Sequence, residues 1–215
     1  MVIVGGKNIL FDPFITPNPK ASEIDVESLS PDVIIISHGH GDHIADAEAI
    51  AKRSKALVIS SFEITEWLST KGVENTIPMN TGGEFDLGSC KIKLVKAEHS
   101  SSLPDGAYGG NPLGIVVWNN DVCFYYAGDT SLTLDMKLIP MKFNLDFCFL
   151  PVGDHFTMGF EDAAMAANMV KCNNVIGMHF DTFPPIEIDH DQAIQTFAKE
   201  NIKLTLPTIN QILEY

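Results

Sequence analysis

The sequence predicts a layered α/β domain in which one sheet packs on another. Two observations carry this. Short apolar runs of strand length alternate with helical patterns and turn signals along the whole chain, roughly ten or more strands against about five helices. No composition break, repeat or low-complexity stretch divides the 215 residues, so they read as one domain over 1–215.

The elements follow in order. Val2–Val4 and Ile9–Phe11 flank Gly5-Gly6-Lys7-Asn8, a hairpin signal, and a Pro-rich loop follows with Pro13, Pro17 and Pro19. Val33–Ser37 is a continuous β-branched run, hence a buried strand. Ile44–Ser54 reads as one helix with Ile44, Ala47 and Ile50 on a shared face. Ala56–Ser60 is a strand, and Phe62–Lys71 is a helix ending at Gly72. The middle of the chain is β-rich, with Thr76–Met79, Glu84–Leu87 and Cys90–Ala97 as strands. Leu113–Trp118 and Val122–Ala127 flank Asn119-Asn120-Asp121, a second hairpin signal. A strand at Asp146–Leu150, a helix near Glu161–Lys171 and a strand at Asn174–Met178 come next, then a helix near Asp189–Lys199 and a strand at Lys203–Leu206.

The charge balance restricts partners. Fourteen basic and 28 acidic residues leave a formal charge of −14, which repels phosphate backbones and anionic lipid. Nucleic-acid and membrane partners are therefore not expected, and no apolar run approaches the length of a membrane span. A homo-oligomer is compatible with the sequence. The four cysteines stand apart, without a CxxC, and read as small buried hydrophobes of a reduced, cytoplasmic protein.

The chemistry concentrates in His38-Gly39-His40-Gly41-Asp42-His43. Such an H-x-H-x-D-H pattern arises by chance about once in 2,000 sequences of this composition. It follows a buried strand and precedes a helix, where a rigid scaffold presents functional groups. Imidazole and carboxylate suit divalent ions, and intervening glycines let neighbouring side chains converge. Four ligands in six residues are too many for one tetrahedral ion approached from one side, so two adjacent metals are the natural reading. His99, Asp129 and His179 each follow an apolar run and supply further ligands at other strand ends.

The set of HGHGDH, His99, the Gly128-Asp129-Thr130 triplet and His179 resembles the metallo-β-lactamase superfamily. Phe11–Pro19, Ala97–Ser102, Tyr126–Leu132, Leu150–Ala164 and Met178–Pro184 further resemble a bacterial and archaeal family of metal-dependent hydrolases related to L-ascorbate-6-phosphate lactonase. The likeness runs from about residue 1 to 206. It implies a four-layer αββα sandwich with the metals at one edge between the sheets. It also implies that His38, His40 and His99 hold one metal, that Asp42, His43 and His179 hold the other, and that Asp129 bridges them. Relatives usually begin with an additional strand, and this chain starts after it. They also carry Pro where Phe160 opens a helix, a loss the helix should tolerate.

The expected activity is hydrolysis of an ester, lactone or phosphodiester bond of a small molecule, which an anionic group would not exclude. Two metals would share a water and lower its pKa toward neutrality, giving a bridging hydroxide, with Asp42 and Asp129 as the catalytic carboxylates. Zinc is the first expectation, and manganese, iron and nickel accept the same ligands. Di-iron redox members of the superfamily carry Glu where His40 stands, which argues for hydrolysis. A phosphodiesterase or nuclease of the same fold and a non-catalytic metal-binding module are the alternatives. His155, Ser100, Ser101 and Tyr108 are candidate substrate contacts. His190 reads as solvent-exposed without a role, and Met136, Met141, Met158, Met165 and Met169 read as core fillers.

Overall fold

A computed structural model describes residues 1–215. Its first sheet has five strands in the order β1 (Val2–Val4), β2 (Lys7–Phe11), β3 (Val33–Ile35), β4 (Leu57–Ser61), β5 (Thr76–Met79). The β1–β2 hairpin is antiparallel, and the other pairings are parallel. The second sheet has seven strands. In spatial order they are β12 (Lys203–Thr205), β11 (Asn174–Met178), β10 (Phe147–Pro151), β9 (Cys123–Tyr126), β8 (Leu113–Trp118), β7 (Lys91–Lys96) and β6 (Glu84–Asp86). Five helices complete the fold: α1 (Gly41–Ile44), α2 (Ala47–Ser54), α3 (Phe62–Thr70), α4 (Phe160–Val170) and α5 (His190–Lys199).

The alternation of side chains along each strand builds the layers. Val33 and Ile35 of β3 point to a middle core with Ile92, Ile115, Val117 and Phe124 of the second sheet. Ile34 and Ile36 point the other way, against Ile44, Ile50, Ile64 and Leu68 of the first three helices. Across the second sheet, Val116, Tyr125 and Leu150 meet Ala163, Ala167 and Phe197 of α4 and α5. Helix, sheet, sheet, helix is the order, as the resemblance implied. Each fully buried Ile in these layers contributes roughly 1.5–3 kcal/mol. Both faces of β3 and of β8 are buried, which is why their sequences run apolar without alternation.

Two sequence expectations change. The helix expected over Ile44–Ser54 is broken into α1 and α2 at Ala45 and Asp46. Asp46 sits where it could cap α2, yet its carboxylate turns away to accept from the backbone N–H groups of Ile15 and Thr16 at 2.6 and 3.0 Å. Met141 and Met165 are 80% and 51% exposed, so they fill no core. Leu134–Met141 forms a 3-10 segment with Pro140 inside it, which no apolar periodicity announced. Phe160 opens α4 behind Gly159 without a proline, as expected. Cys90, Cys148 and Cys172 are buried as free thiols, while Cys123 is partly buried.

Candidate metal centre

Every proposed ligand sits just past a strand. His38 and His40 follow β3, and Gly41 opens the one-turn helix α1 that carries Asp42 and His43. His99 follows β7, Asp129 follows β9 and His179 follows β11. The second sheet runs β7, β9, β10 and β11 in one direction, so their ends meet at one edge, beside the end of β3. The turn that presents Asp129 depends on Gly128. Its φ is +62°, and a Cβ there would lie 2.7 Å from the Leu113 carbonyl oxygen and 2.8 Å from Ser37 Cβ.

The seven residues converge. Ligand atoms of His38, His40 and His99 lie within 4.8 Å of one another, and so do those of Asp42, His43 and His179. Asp129 stands between the two trios. Its Oδ2 is 3.9 Å from His38 Nε2 and 3.7 Å from His99 Nε2. It is 3.3 Å from His43 Nε2 and 3.1 Å from His179 Nε2. Asp42 Oδ2 lies 3.6 Å from both His43 Nε2 and His179 Nε2.

Hydrogen bonds from outside the set fix which ring nitrogen faces inward. Ser37 Oγ lies 3.0 Å from His38 Nδ1, which leaves His38 Nε2 pointing at the centre. Ser100 Oγ lies 3.2 Å from His40 Nε2, which leaves His40 Nδ1 inward, 3.0 Å from His38 Nε2. Asp12 Oδ2 holds His43 Nδ1 at 3.0 Å. The same Asp12 carboxylate accepts from Ser37 N–H at 2.7 Å, Ser37 Oγ at 2.6 Å and Tyr126 Oη at 2.9 Å. Asp12, His38 and His43 also form a compact ligand-like group, but these four hydrogen bonds already saturate Asp12. Its role is to orient, as carboxylates behind metal-bound histidines commonly do.

The donor set fits divalent ions on the evidence of its own unpaired atoms. His43 Nε2 and His179 Nδ1 are buried and make no hydrogen bond, and His43 Nε2 faces the centre. A buried nitrogen without a partner is costly unless something binds it. The titration behaviour divides the set. Burial pushes His38 well down and lowers His40 and His99, so one trio presents neutral imidazoles, the form that ligates. Burial also disfavours charge on His43 and His179, but the carboxylates beside them win. Asp129 and Asp12 raise His43 well above its ordinary value, and Asp129 and Asp42 raise His179 to about 9. Burial pushes Asp42 and Asp129 up in turn. The imidazoles His179 and His43 outweigh it, leaving Asp42 at about 2 and Asp129 well below the carboxylate range.

Two cavities adjoin the centre, one on each trio. A cavity of about 200 Å³ is lined by Asp42, His43, Asp129 and His179 together with Phe14 and Phe183. A second, of about 450 Å³, is lined by His99, Ser100, Ser101 and Tyr108 among others. Of the expected substrate contacts, Tyr108 is 63% exposed on the wall of the second cavity. Ser100 lines it too but is engaged with His40. Ser101 is buried, with its Oγ accepting from Gly39 N–H at 3.1 Å. His155 is exposed, edge-on to Phe156, and lines neither cavity. His190 is half exposed, pairs with Asp181 at 2.6 Å and lines neither cavity.

Asp12, Ser37 and Ser100 are the supporting residues that the sequence reading missed or assigned elsewhere. Asp12 had a signal: it follows the end of β2, the same strand-end placement that exposed His99, Asp129 and His179.

The profile of the Beta-lactamase superfamily domain matches residues 7–180. A UPF0173 metal-dependent hydrolase of Flavobacterium johnsoniae is 48% identical over 211 residues, covering 98% of this chain and 93% of that protein. A second, of Methylacidiphilum infernorum, is 48% identical over 212 residues with the same coverage of each chain. Among solved structures, a metallo hydrolase from the archaeon Ignicoccus hospitalis superposes with a TM-score of 0.84 at 33% identity. That match covers 94% of this chain and 88% of the other.

Proposed function

From the premise that this chain belongs to the beta-lactamase superfamily, among its UPF0173 metal-dependent hydrolases, we propose that it works with two metal ions sharing Asp129. His38, His40 and His99 would hold one ion, and Asp42, His43 and His179 the other. Zinc is the first candidate, since it accepts this His/Asp set. The single observation that supports the reading is Asp129 Oδ2, which faces imidazoles of both trios at 3.1–3.9 Å. When bound, such a pair supplies a water activated near neutral pH and an electrophile for the scissile carbonyl or phosphoryl oxygen.

The chain's own residues prepare that chemistry. Ser37, Ser100 and Asp12 hold three imidazoles with the ligating nitrogen inward. Asp42, held at about 2, stays ionised at neutral pH. It therefore serves as a ligand and as a hydrogen-bond acceptor for water, not as a proton donor. Neither Ser nor Cys is placed as a nucleophile: Ser101 is tied to the backbone, Ser100 to His40, and no cysteine lines either cavity.

The test is purified protein loaded with Zn²⁺ or Mn²⁺ and assayed on generic ester, lactone and phosphodiester substrates. The expected result is turnover that a chelator removes and added metal restores. Two bound metals with no turnover on any class would make the protein a metal-binding module instead.

A further inference from the structure

We infer that the substrate is an uncharged carboxylic ester or lactone whose alcohol side bears hydroxyl or amide groups. This rests on the hydrolase reading above. Three observations lead to it: both cavities meet metal ligands, hydroxyls and an amide line the larger one, and no Lys or Arg side chain lines either.

The smaller cavity meets Asp42, His43 and His179, and its further wall mixes Phe14, Phe183 and Ile186 with Asn18 and Thr182. At about 200 Å³ it has room for a short acyl chain. The larger cavity meets His99, and the other polar side chains there that are not tied to the His38–His43 segment are Ser102, Tyr108 and Asn111, beside Ala107 and Pro112. Tyr108 Oη donates to Asn111 Oδ1 at 3.0 Å, so the Asn111 amide N–H groups and the Tyr108 lone pairs face outward for a ligand. A backbone bridge between Ser102 and Tyr108 and the Ser61 Oγ bond to the Gly109 carbonyl at 2.8 Å hold this wall in place.

Charge recognition is missing where an anionic substrate would need it. No Lys or Arg lines either cavity. Arginine is the residue that grips phosphate or carboxylate in bidentate fashion. The chain's single arginine, Arg53, is engaged by the Val26 and Leu29 carbonyls at 2.8 and 2.7 Å and by Glu27 at 3.3 Å. Lys96, at the end of β7 that leads to the site, is neutralised by Glu98 and Asp135 at 2.9 and 3.0 Å. A phosphate or carboxylate on the non-reacting part of a substrate would find no Lys or Arg partner in either cavity. In the reaction, water adds to the carbonyl carbon and the acyl C–O bond breaks. The acid keeps the water oxygen, and one water proton goes to the departing alkoxide, giving the alcohol.

A matched panel tests this with the metal-loaded protein, reading kcat/KM by acid release. The probes are 1-butyrylglycerol, its 3-phosphate, ethyl butyrate and bis(4-nitrophenyl) phosphate. We expect 1-butyrylglycerol to exceed both its phosphate and ethyl butyrate by about tenfold. Asn111→Ala should shrink the glycerol-over-ethyl ratio toward one through KM, while metal content stays at the wild-type value. Cleavage of the 3-phosphate as fast as the neutral ester would overturn the inference and leave the hydrolase standing. So would turnover of the phosphodiester alone. No turnover of any probe by protein carrying two metals would overturn the hydrolase reading itself, and this inference with it.

Discussion

Replacing Asp12 with Asn keeps the shape and removes the charge from the carboxylate behind the centre. Asp12 accepts four hydrogen bonds: from Ser37 N–H on Oδ1, and from Ser37 Oγ, His43 Nδ1 and Tyr126 Oη on Oδ2. An amide offers one oxygen. If that oxygen takes the Oδ2 position, the NH₂ group faces the Ser37 N–H donor. If it takes Oδ1, three donors lose their acceptor. Charge-assisted bonds are worth about 1.5–3 kcal/mol each, and a buried charge left without its partner costs about 3–5 kcal/mol. Asp12→Asn should therefore cost about 3–5 kcal/mol, a large part of a typical stability of about 5–15 kcal/mol. Melting should fall by about 10 °C. Because His43 and Ser37 lose their anchor together, affinity for metal should also fall by at least about 10- to 100-fold. Thermal melts with and without metal, and metal titration with a competing chelator, measure both. A variant that melts within about 2 °C of wild type and binds metal as tightly would refute the role assigned to Asp12.

Three further outcomes follow from the same geometry. Asp129→Ala should bring metal below one equivalent per chain and abolish turnover, whereas His190→Ala should change neither; metal analysis and rate together decide, and like behaviour of the two would break the ligand assignment. In chelator-stripped protein, His179 sits at about 9 against an ordinary value near 6.5, a raised value. Its stabilisation is then complete below about pH 6.5 and lost as pH rises toward 9, on the order of 3 kcal/mol in all. Urea unfolding at pH 6 and pH 9, compared between wild type and His179→Gln, separates this contribution from the opposite one of the lowered His38, His40 and His99, and an identical change with pH in both proteins would contradict it. Gly128→Ala forces a side chain into φ +62° against the Leu113 carbonyl, so it should destabilise by at least about 1–3 kcal/mol in a thermal melt and weaken metal binding.

Much of the fold was legible because it follows apolar periodicity. The strands at Thr76–Met79, Leu113–Trp118 and Asn174–Met178 stand where their runs predicted. The ligands were legible because a polar ligand type directly after a buried strand is conspicuous. What stayed hidden depends on partners distant in sequence. The break between α1 and α2 comes from Asp46 bonding a loop 30 residues earlier. Asp12 lies 31 residues from His43, and nothing in its local FDP context ties it to a histidine. Ser100 was visible as a serine beside a ligand, but only the approach of its loop to His40 decides that it orients a ring before it meets any substrate. His155 looked functional by type and loop position, yet its exposed side chain lines neither cavity.

The central claim is two metals on one carboxylate. A crystal of metal-loaded protein, with anomalous data at the absorption edge of the bound metal, tests it directly. Two peaks per chain are predicted, one among His38, His40 and His99 and one among Asp42, His43 and His179, both within bonding distance of Asp129. A single peak, or two peaks with Asp129 bound to neither or only one, would contradict it.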